Sequence, residues 1–557
     1  MIAHRLTAIP ALSLALGSCM GPSELENYLQ TARQRYSTET HMVGTKWDGP
    51  TYHTRVATGT WVHPTVASLD YALALLHRDE EGDRARAEQI LDKVISLQET
   101  SASDEHYGLF PWFLEEPIEE MAPPDRNWAD FCGARLAHIL VDHGTKLRPE
   151  VLERTKRSLG HAARAIRERD VSPSYTNIAV MGSGVTLVAG EQLHEPGLLR
   201  YGREKLEQVI AHTQKTSNFS EYNSPVYTFV VIWECERTLS LVTDKASRVA
   251  ADKLRHIAWR TIAESFHPAT AQWAGPHSRA YSDRLTRGQV QEISDRLGFD
   301  LEVHPTQSGG KLYPFWTTPT VPCPETMMDR FSASSKTPRE IRRTFRLARR
   351  GDDALVGTTW MARDVCLGSV NRASLWVQRR PLVAYWRTDE DPAVVLRLRS
   401  LKDGRDFSAI GVSNDQKGPN VSSSFFVFSD RGTWHRHLDK PKDATYVARD
   451  LRIRYELRGK GVTAKRLGEG RYELRAGEHR AVIHTTPGEF FGREVKFKVG
   501  EEKGVAYLDV VLHEGEERSF DFREAGIVGL IVELEIFEGE KAYEIGTVIT
   551  PSSQPSK

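Results

Sequence analysis

Two runs in this chain, residues 178–189 and 226–242, are apolar on nearly every helical face, apart from Glu234, Glu236 and Arg237 near the end of the second. A helix apolar all round is buried all round, whereas an amphipathic helix lies at a surface. Each run is followed by an amphipathic one, residues 199–212 and 246–266. The same period holds upstream. Leu69, Ala72, Leu73 and Leu76 recur at i, i+3, i+4 and i+7, and Ala87, Ile90, Leu91 and Val94 repeat the pattern. Hairpins that alternate an inner with an outer helix build a ring, so residues 24–285 are expected to form an (α/α) toroid. An irregular helical bundle is the alternative.

From residue 340 to 550 the period falls to two. Val394-Leu396-Leu398, Phe425-Val427, Ile453-Tyr455-Leu457, Val495-Phe497-Val499 and Leu530-Val532-Leu534 alternate with polar neighbours, with turn residues between the runs. Many short strands at this spacing indicate an antiparallel β-sandwich. Residues 286–339, of mixed character and with several prolines, read as a connector. The expected class is therefore α+β multidomain, an N-terminal toroid followed by a C-terminal sandwich.

A net charge of −1 over 557 residues supplies no global field for nucleic acid or an anionic membrane. Any acidic ligand must be held by a local cluster of positive groups. The five cysteines form no CxxC pair, which argues against a zinc ribbon or thioredoxin motif, and Cys132 and Cys235 read as small buried residues of helices. At the N-terminus, His4 and Arg5 precede a short apolar run that ends in Leu16-Gly17-Ser18-Cys19. Residues 1–23 thus fit a signal peptide with a lipoprotein box. The expectation is an exported bacterial protein, periplasmic or outer-membrane, with Cys19 as a lipid anchor; a cytoplasmic protein is the alternative.

The segments just before the inner helices carry the polar residues. His63 precedes the first, Asn127 and Trp128 open the second, Tyr175 and Asn177 the third, and Glu221, Tyr222, Asn223 and Tyr227 the fourth. Inner helices of such a ring run parallel, so these starts gather at one mouth. Helix N-termini there favour an anion, and Trp128, Tyr175, Tyr222 and Trp273 can stack on sugar faces. After the last hairpin comes Gly275-Pro276, a turn signal, and then His277, Arg279 and Tyr281 at spacing two. An extended loop projects all three from one side, which marks an active-site lining.

Asn127-Trp128-Ala129-Asp130-Phe131, Tyr175-Thr176-Asn177-Ile178-Ala179, Ser220-Glu221-Tyr222-Asn223-Ser224-Pro225 and Gly275-Pro276-His277-Ser278-Arg279-Ala280-Tyr281 together resemble the toroid-plus-sandwich polysaccharide lyases, broadly heparinase II/III-like. Gly357-Thr358-Thr359-Trp360 and the segment from Leu375 to Pro381 are similar to the first sandwich strands of related chains. Among characterised groups, the lyases acting at rhamnose–glucuronate linkages look nearest. The resemblance implies β-elimination on an acidic polysaccharide: the uronate carboxylate is neutralised, a base takes the adjacent proton, and an acid protonates the leaving oxygen. It implies Asn177 and Asn223 as a carboxylate clamp and Tyr227 and Tyr281 as proton-transfer residues. His277 is base or clamp, and Arg279 either binds the carboxylate or lowers a tyrosine pKa. Asn127, Trp128, Tyr175, Tyr222, Glu221, Trp273 and His63 are expected to bind substrate.

Two other classes stay open. A toroid glycoside hydrolase needs a carboxylate pair, and Asp125, Asp130, Glu221 and Asp283 lie in the mouth segments. A non-catalytic glycan-binding surface protein needs none. No cofactor is indicated, although a structural zinc or calcium is compatible with the sequence, and His435 with His437 is the candidate metal pair beside a solvated reading. The basic run from Arg342 to Arg350 reads as a solvated face, with an extension of a substrate subsite as the alternative.

Overall fold

The protein is described by a computed structural model covering residues 22–49, 53–301, 303, 320–332, 337–437, 439–524 and 527–550. Cys19, with most of the leader segment, lies outside the described residues. After α1 (Pro22–Arg35) the chain builds four helical hairpins: α2 (Thr65–Arg78) with α3 (Asp83–Ile95), α4 (Trp128–His143) with α5 (Pro149–Arg169), α6 (Thr176–Gln192) with α7 (Pro196–Thr216), and α8 (Tyr227–Leu241) with α9 (Lys245–Ser265). The first members, α2, α4, α6 and α8, pack each on the next, and the second members do the same outside them. This is the toroidal arrangement. Its cause is visible in α6 and α7. Every residue of α6 from Thr176 to Gly190 except Gly184 is buried, whereas α7 buries a single stripe through Leu198, Gly202, Leu206, Val209 and Thr213.

The charged residues at the end of α8 are paired in the interior. Glu234 meets Arg237 at 2.5 Å, and Glu236 meets Arg296 of α10 (Arg287–Leu297) at 2.7 Å. Trp233 donates its indole N–H to Glu292 on that same helix. A reciprocal capping box of Thr286 and Gln289 starts α10. Its Val290, Ile293 and Leu297, with Phe331 of α11 (Glu325–Ser332), join the helical core. The stretch read as a connector therefore carries helices packed on the toroid.

The β region forms two large sheets. The first runs in the order Lys496–Glu502, Val505–Asp521, Thr445–Arg458, Val394–Lys402, Leu382–Trp386, Val365–Val370, Leu355–Met361, Arg339–Arg346 and Thr547–Ile549. The second runs Arg372–Ser374, Ile410–Lys417, Asn420–Val427, Ile527–Glu538, His479–Thr485, Arg471–Ala476 and Val462–Gly468. Pairing within these orders is antiparallel, except that Thr547–Ile549 lies parallel to Arg339–Arg346. One core joins the sheets face to face: Trp360, Leu396, Tyr455 and Leu508 from the first meet Val412, Phe425, Leu474 and Val532 from the second. The segment from Leu375 to Pro381 is a correction to the sequence reading. Gly357–Trp360 lies in a strand, but Leu375–Pro381 is the non-strand link after Arg372–Ser374.

The first sheet is covered on its other side as well. Ile341, Met361, Cys366, Val383, Tyr385 and Val395 pack there with Ala274, just beyond the toroid's last hairpin. Leu382–Trp386 is in consequence buried at all five positions and shows no alternation, as expected for a strand with both faces covered. Part of the basic run is also internal, since Arg343 is buried and pairs with Glu264 of α9.

Backbone of residues 275 and 276 lies directly on the strand Val365–Val370. A Cβ built at Gly368 would stand 1.8 Å from the Gly275 carbonyl oxygen and 2.2 Å from its carbon. Both are backbone atoms that cannot rotate away. Gly368→Ala is therefore expected to lower the unfolding free energy by about 1–3 kcal/mol, the cost of overpacking, read from urea denaturation. An unchanged midpoint would show that this contact is looser than the geometry requires.

Candidate active site

The starts of three inner helices open into one cavity of about 660 Å³. Asp125 and Asn127 reach it ahead of α4, Tyr175 and Asn177 at α6, and Glu221 and Tyr227 at α8. A strap of extended chain, residues 274–281, crosses between these starts and the sandwich. Its Ser278 N–H donates to the Tyr222 carbonyl at 3.1 Å. On the other side His277 and Arg380 exchange backbone hydrogen bonds at 3.0 Å, and the Ala280 N–H donates to the Gln378 carbonyl at 2.8 Å. Ser224 couples strap and helix: its hydroxyl donates to the Arg279 carbonyl at 2.8 Å and accepts the Tyr227 N–H at 3.0 Å.

Three side chains converge at this junction. The Tyr227 and Tyr281 hydroxyls are 2.7 Å apart. Arg279 Nη2 donates to both, at 3.0 Å and 3.2 Å. The guanidinium is centred 4.8 Å from the Tyr227 ring and 5.0 Å from the Trp376 ring, a cation between two aromatic faces. Burial pushes the Tyr227 phenol well above its ordinary value, with Arg279 pulling the other way. Tyr281 is 56% exposed and presents its ring to the cavity.

Beside this trio, the Asn177 backbone N–H and side-chain amide donate to the two Glu221 oxygens at 3.0 Å and 3.1 Å. Burial raises the Glu221 carboxyl to about 7, against the Asn177 N–H and Arg279, which favour its charged form. Asn127 Nδ2 donates to the Tyr175 hydroxyl at 3.3 Å, and Asn127 Oδ1 accepts from Arg169 at 2.9 Å.

Several expected residues sit elsewhere, each for a definable reason. His277 is 2% exposed; its Nδ1–H donates to the Asn223 carbonyl at 2.6 Å, and burial drops its pKa to about 4, so it is a neutral strut beneath the site. Asn223 is buried in a left-handed turn at φ 42°, away from the cavity. Tyr222 stacks on Phe345 of the sandwich at 3.9 Å, and Trp273 is packed against Phe229 in the core. Trp128 bonds Thr65 and leans on Trp112, which lines the cavity in its place. His63 is held by Glu115 at 2.5 Å. The spacing-two expectation therefore holds for Arg279 and Tyr281 and fails for His277.

The sandwich supplies what the toroid reading missed. Trp376 and Arg379 come from the link after Arg372–Ser374, and His435, Arg436 and His437 from the segment that follows Asn420–Val427. His53 and Trp112 complete the wall. His435 and His437, taken from sequence as a metal or solvated pair, both line this cavity. Among the described residues, Arg379 Nε is buried without a hydrogen-bond partner. Burial and the neighbouring guanidiniums hold Arg379 below its ordinary value and bring Arg436 to about 9. Three arginines against Asp125 and Glu221 give the cavity a surplus of positive charge, the field an anion requires.

Residues 36–290 match a family described as a domain of unknown function (DUF8769). No curated protein matches the chain. Among solved structures, the chain is similar to heparinase III at 8% identity, with 96% of this chain and 88% of that chain covered and a TM-score of 0.47. It is similar to the chondroitin AC lyase of Streptomyces coelicolor A3, solved in complex with chondroitin sulphate, at 11% identity, with 95% and 81% covered and a TM-score of 0.46. It also matches a GH127 β-L-arabinofuranosidase from Geobacillus stearothermophilus at 9% identity, with 93% and 76% covered and a TM-score of 0.23.

The raised Glu221 carboxyl makes stability depend on pH. A group at 4.5 when solvent-exposed in the unfolded chain and about 7 when folded binds its proton more tightly in the native state. Stability therefore falls as pH rises between those values, and the loss is complete above the upper one. Glu221→Gln removes the ionisation. Its melting temperature should gain on the wild type across that window and stay ahead above it. Parallel melting curves through the whole range would contradict the assignment.

Proposed function

We propose that this chain is a polysaccharide lyase that cleaves a uronic-acid-containing glycan by β-elimination. The observation that carries the reading is the single guanidinium of Arg279 donating to two tyrosine hydroxyls 2.7 Å apart in a cavity rich in arginine. A uronate carboxylate entering this cavity meets Arg279, Arg379 and Arg436, and their charge stabilises the enediolate formed when the adjacent proton leaves. Tyr281, the exposed member of the pair, acts as the phenolate base; Arg279 compensates its negative charge. The electrons of the broken C–H bond form the new double bond and expel the glycosidic oxygen from the β carbon. Tyr227, whose phenol burial keeps protonated, supplies the proton that oxygen takes up. Asn177 works through Glu221, holding its carboxyl at the edge of the cavity.

A hydrolase reading draws support from Glu221, whose carboxyl near 7 is suited to general acid work. The two readings separate on the product, because only elimination yields an unsaturated uronate with ultraviolet absorbance. A panel of acidic glycans, including rhamnose-capped arabinogalactan, heparin-type, ulvan-type and alginate members, is the substrate screen. Tyr281→Phe and Tyr227→Phe should each bind substrate normally and lose about 10²–10⁴-fold in turnover. A substrate with an activated leaving group should rescue the Tyr227 variant alone. Full turnover in both, with Glu221→Gln inactive and no unsaturated product, would replace elimination by hydrolysis.

An exported, lipid-anchored location belongs to the same proposal, since acidic polysaccharides are met outside the cell. Cys19→Ser should then move the protein from the membrane fraction to the soluble one. Recovery of an intact Met1 from native cells would reject the leader.

A further inference from the structure

Arg279 is held from two directions. Its Nη2 reaches the Tyr227 and Tyr281 hydroxyls, which belong to the toroid side of the cavity. Its Nε donates to Gln378 Oε1 at 2.9 Å, on the sandwich side. Gln378 is 6% exposed and does not line the cavity, so it meets Arg279 and not a ligand. Its own position is fixed by the ladder already described, in which its carbonyl takes the Ala280 N–H at 2.8 Å and Arg380 pairs with His277. Arg380 is anchored in turn on Asp283 at 2.7 Å, as is Arg397 of the strand Val394–Lys402.

A guanidinium has donors to spare, and a carboxylate is its usual buried partner. A carboxylate at this point would cancel the charge that the tyrosine pair uses. An amide oxygen orients the same N–H and leaves the cation whole. We infer that Gln378 is the positioning residue through which the sandwich domain aims Arg279 at the two tyrosines, orienting the guanidinium without neutralising it. The rate part of this inference rests on the β-elimination reading; the geometric part stands without it.

Two substitutions divide the two properties. Gln378→Leu removes the acceptor while keeping an apolar filling of similar size, so Arg279 should leave hydrogen-bond reach of one or both hydroxyls. Turnover should fall roughly 10²-fold, the loss that a displaced catalytic group brings, with KM within a few-fold of wild type. The rising limb of the pH–rate profile should move to higher pH, because the phenolate has lost its compensating charge. Gln378→Glu should keep Arg279 in place and still move that limb upward, through the added negative charge. If the leucine variant does not fold, Gln378→Asn, one methylene shorter, takes its place in every measurement. Crystal structures of the variants read the geometry directly. Arg279 unmoved in the leucine variant, or a lowered rate with an unshifted limb, overturns the inference. If the wild type forms no unsaturated uronate the reaction reading fails, and the crystal structures still decide whether Gln378 positions Arg279.

Discussion

 A guanidinium set between two aromatic rings can be satisfied in few ways. Arg279 stands 52 residues after Tyr227 and 99 before Gln378. Only the tertiary fold brings the three together. Each ring face offers a cation a modest attraction, and the two hydroxyls and the Gln378 oxygen fix its direction. The strap must therefore be held on both sides at once, by the start of α8 and by the sandwich. The close approach of Gly275 to Gly368 serves that requirement, because a side chain at residue 368 would lift the strap from the sheet.

The two-domain architecture follows from the same demand. A ring of inner helices brings their N-termini to one mouth, but it leaves that mouth open on the side of the last hairpin. The first sheet closes it. Its outer face packs on Ala274, and its neighbouring segments deliver Trp376, Arg379 and Arg436 to the cavity. The sandwich is thus a wall of the site as well as a neighbour of the toroid.

The sequence made the helices legible because their period is local: the apolar stripe of α7 and the all-round burial of α6 are properties of a few turns. Arg279, Tyr281, Tyr227, Asn177, Tyr175, Asn127 and Glu221 were legible for a related reason, since they stand at or beside helix starts and on one strap. Spacing states which residues share a side, and it is silent on what covers that side. His277 shares the alternation of Arg279 and Tyr281 but is sealed under the Asn223 carbonyl. Tyr222 points to the sandwich because Phe345 offers it a ring to stack on. Trp376, Arg379 and His435 reach the cavity through contacts distant in sequence, which no local period encodes. Leu382–Trp386 hides from a period-two search because both its faces are covered.

The carboxylates of the mouth differ in how far they are committed to structure, and that difference bears on the chemistry. Asp283 accepts from Arg380 and Arg397 at 2.7 Å each. Burial works to raise its carboxyl, but the two guanidiniums outweigh it and keep the group ionised. It cannot give a proton at neutral pH. Asp130 is the opposite case: buried, with Oδ1 unpartnered among the described residues, and raised to about 8 by burial. It sits in the helical interior, outside the cavity lining. Among the described residues, Glu221 alone of the raised carboxyls faces the cavity, and Asn177 already occupies both of its oxygens. A pair of carboxylates acting across a glycosidic bond needs one acid and one base free to meet the sugar from two sides. Asp125, the other cavity carboxylate, spends its oxygens on the Asn127 N–H and the Trp112 indole. The tyrosine pair lines the cavity with Arg279 donating to both hydroxyls, and it is this trio, and not a carboxylate pair, on which the proposed elimination is built.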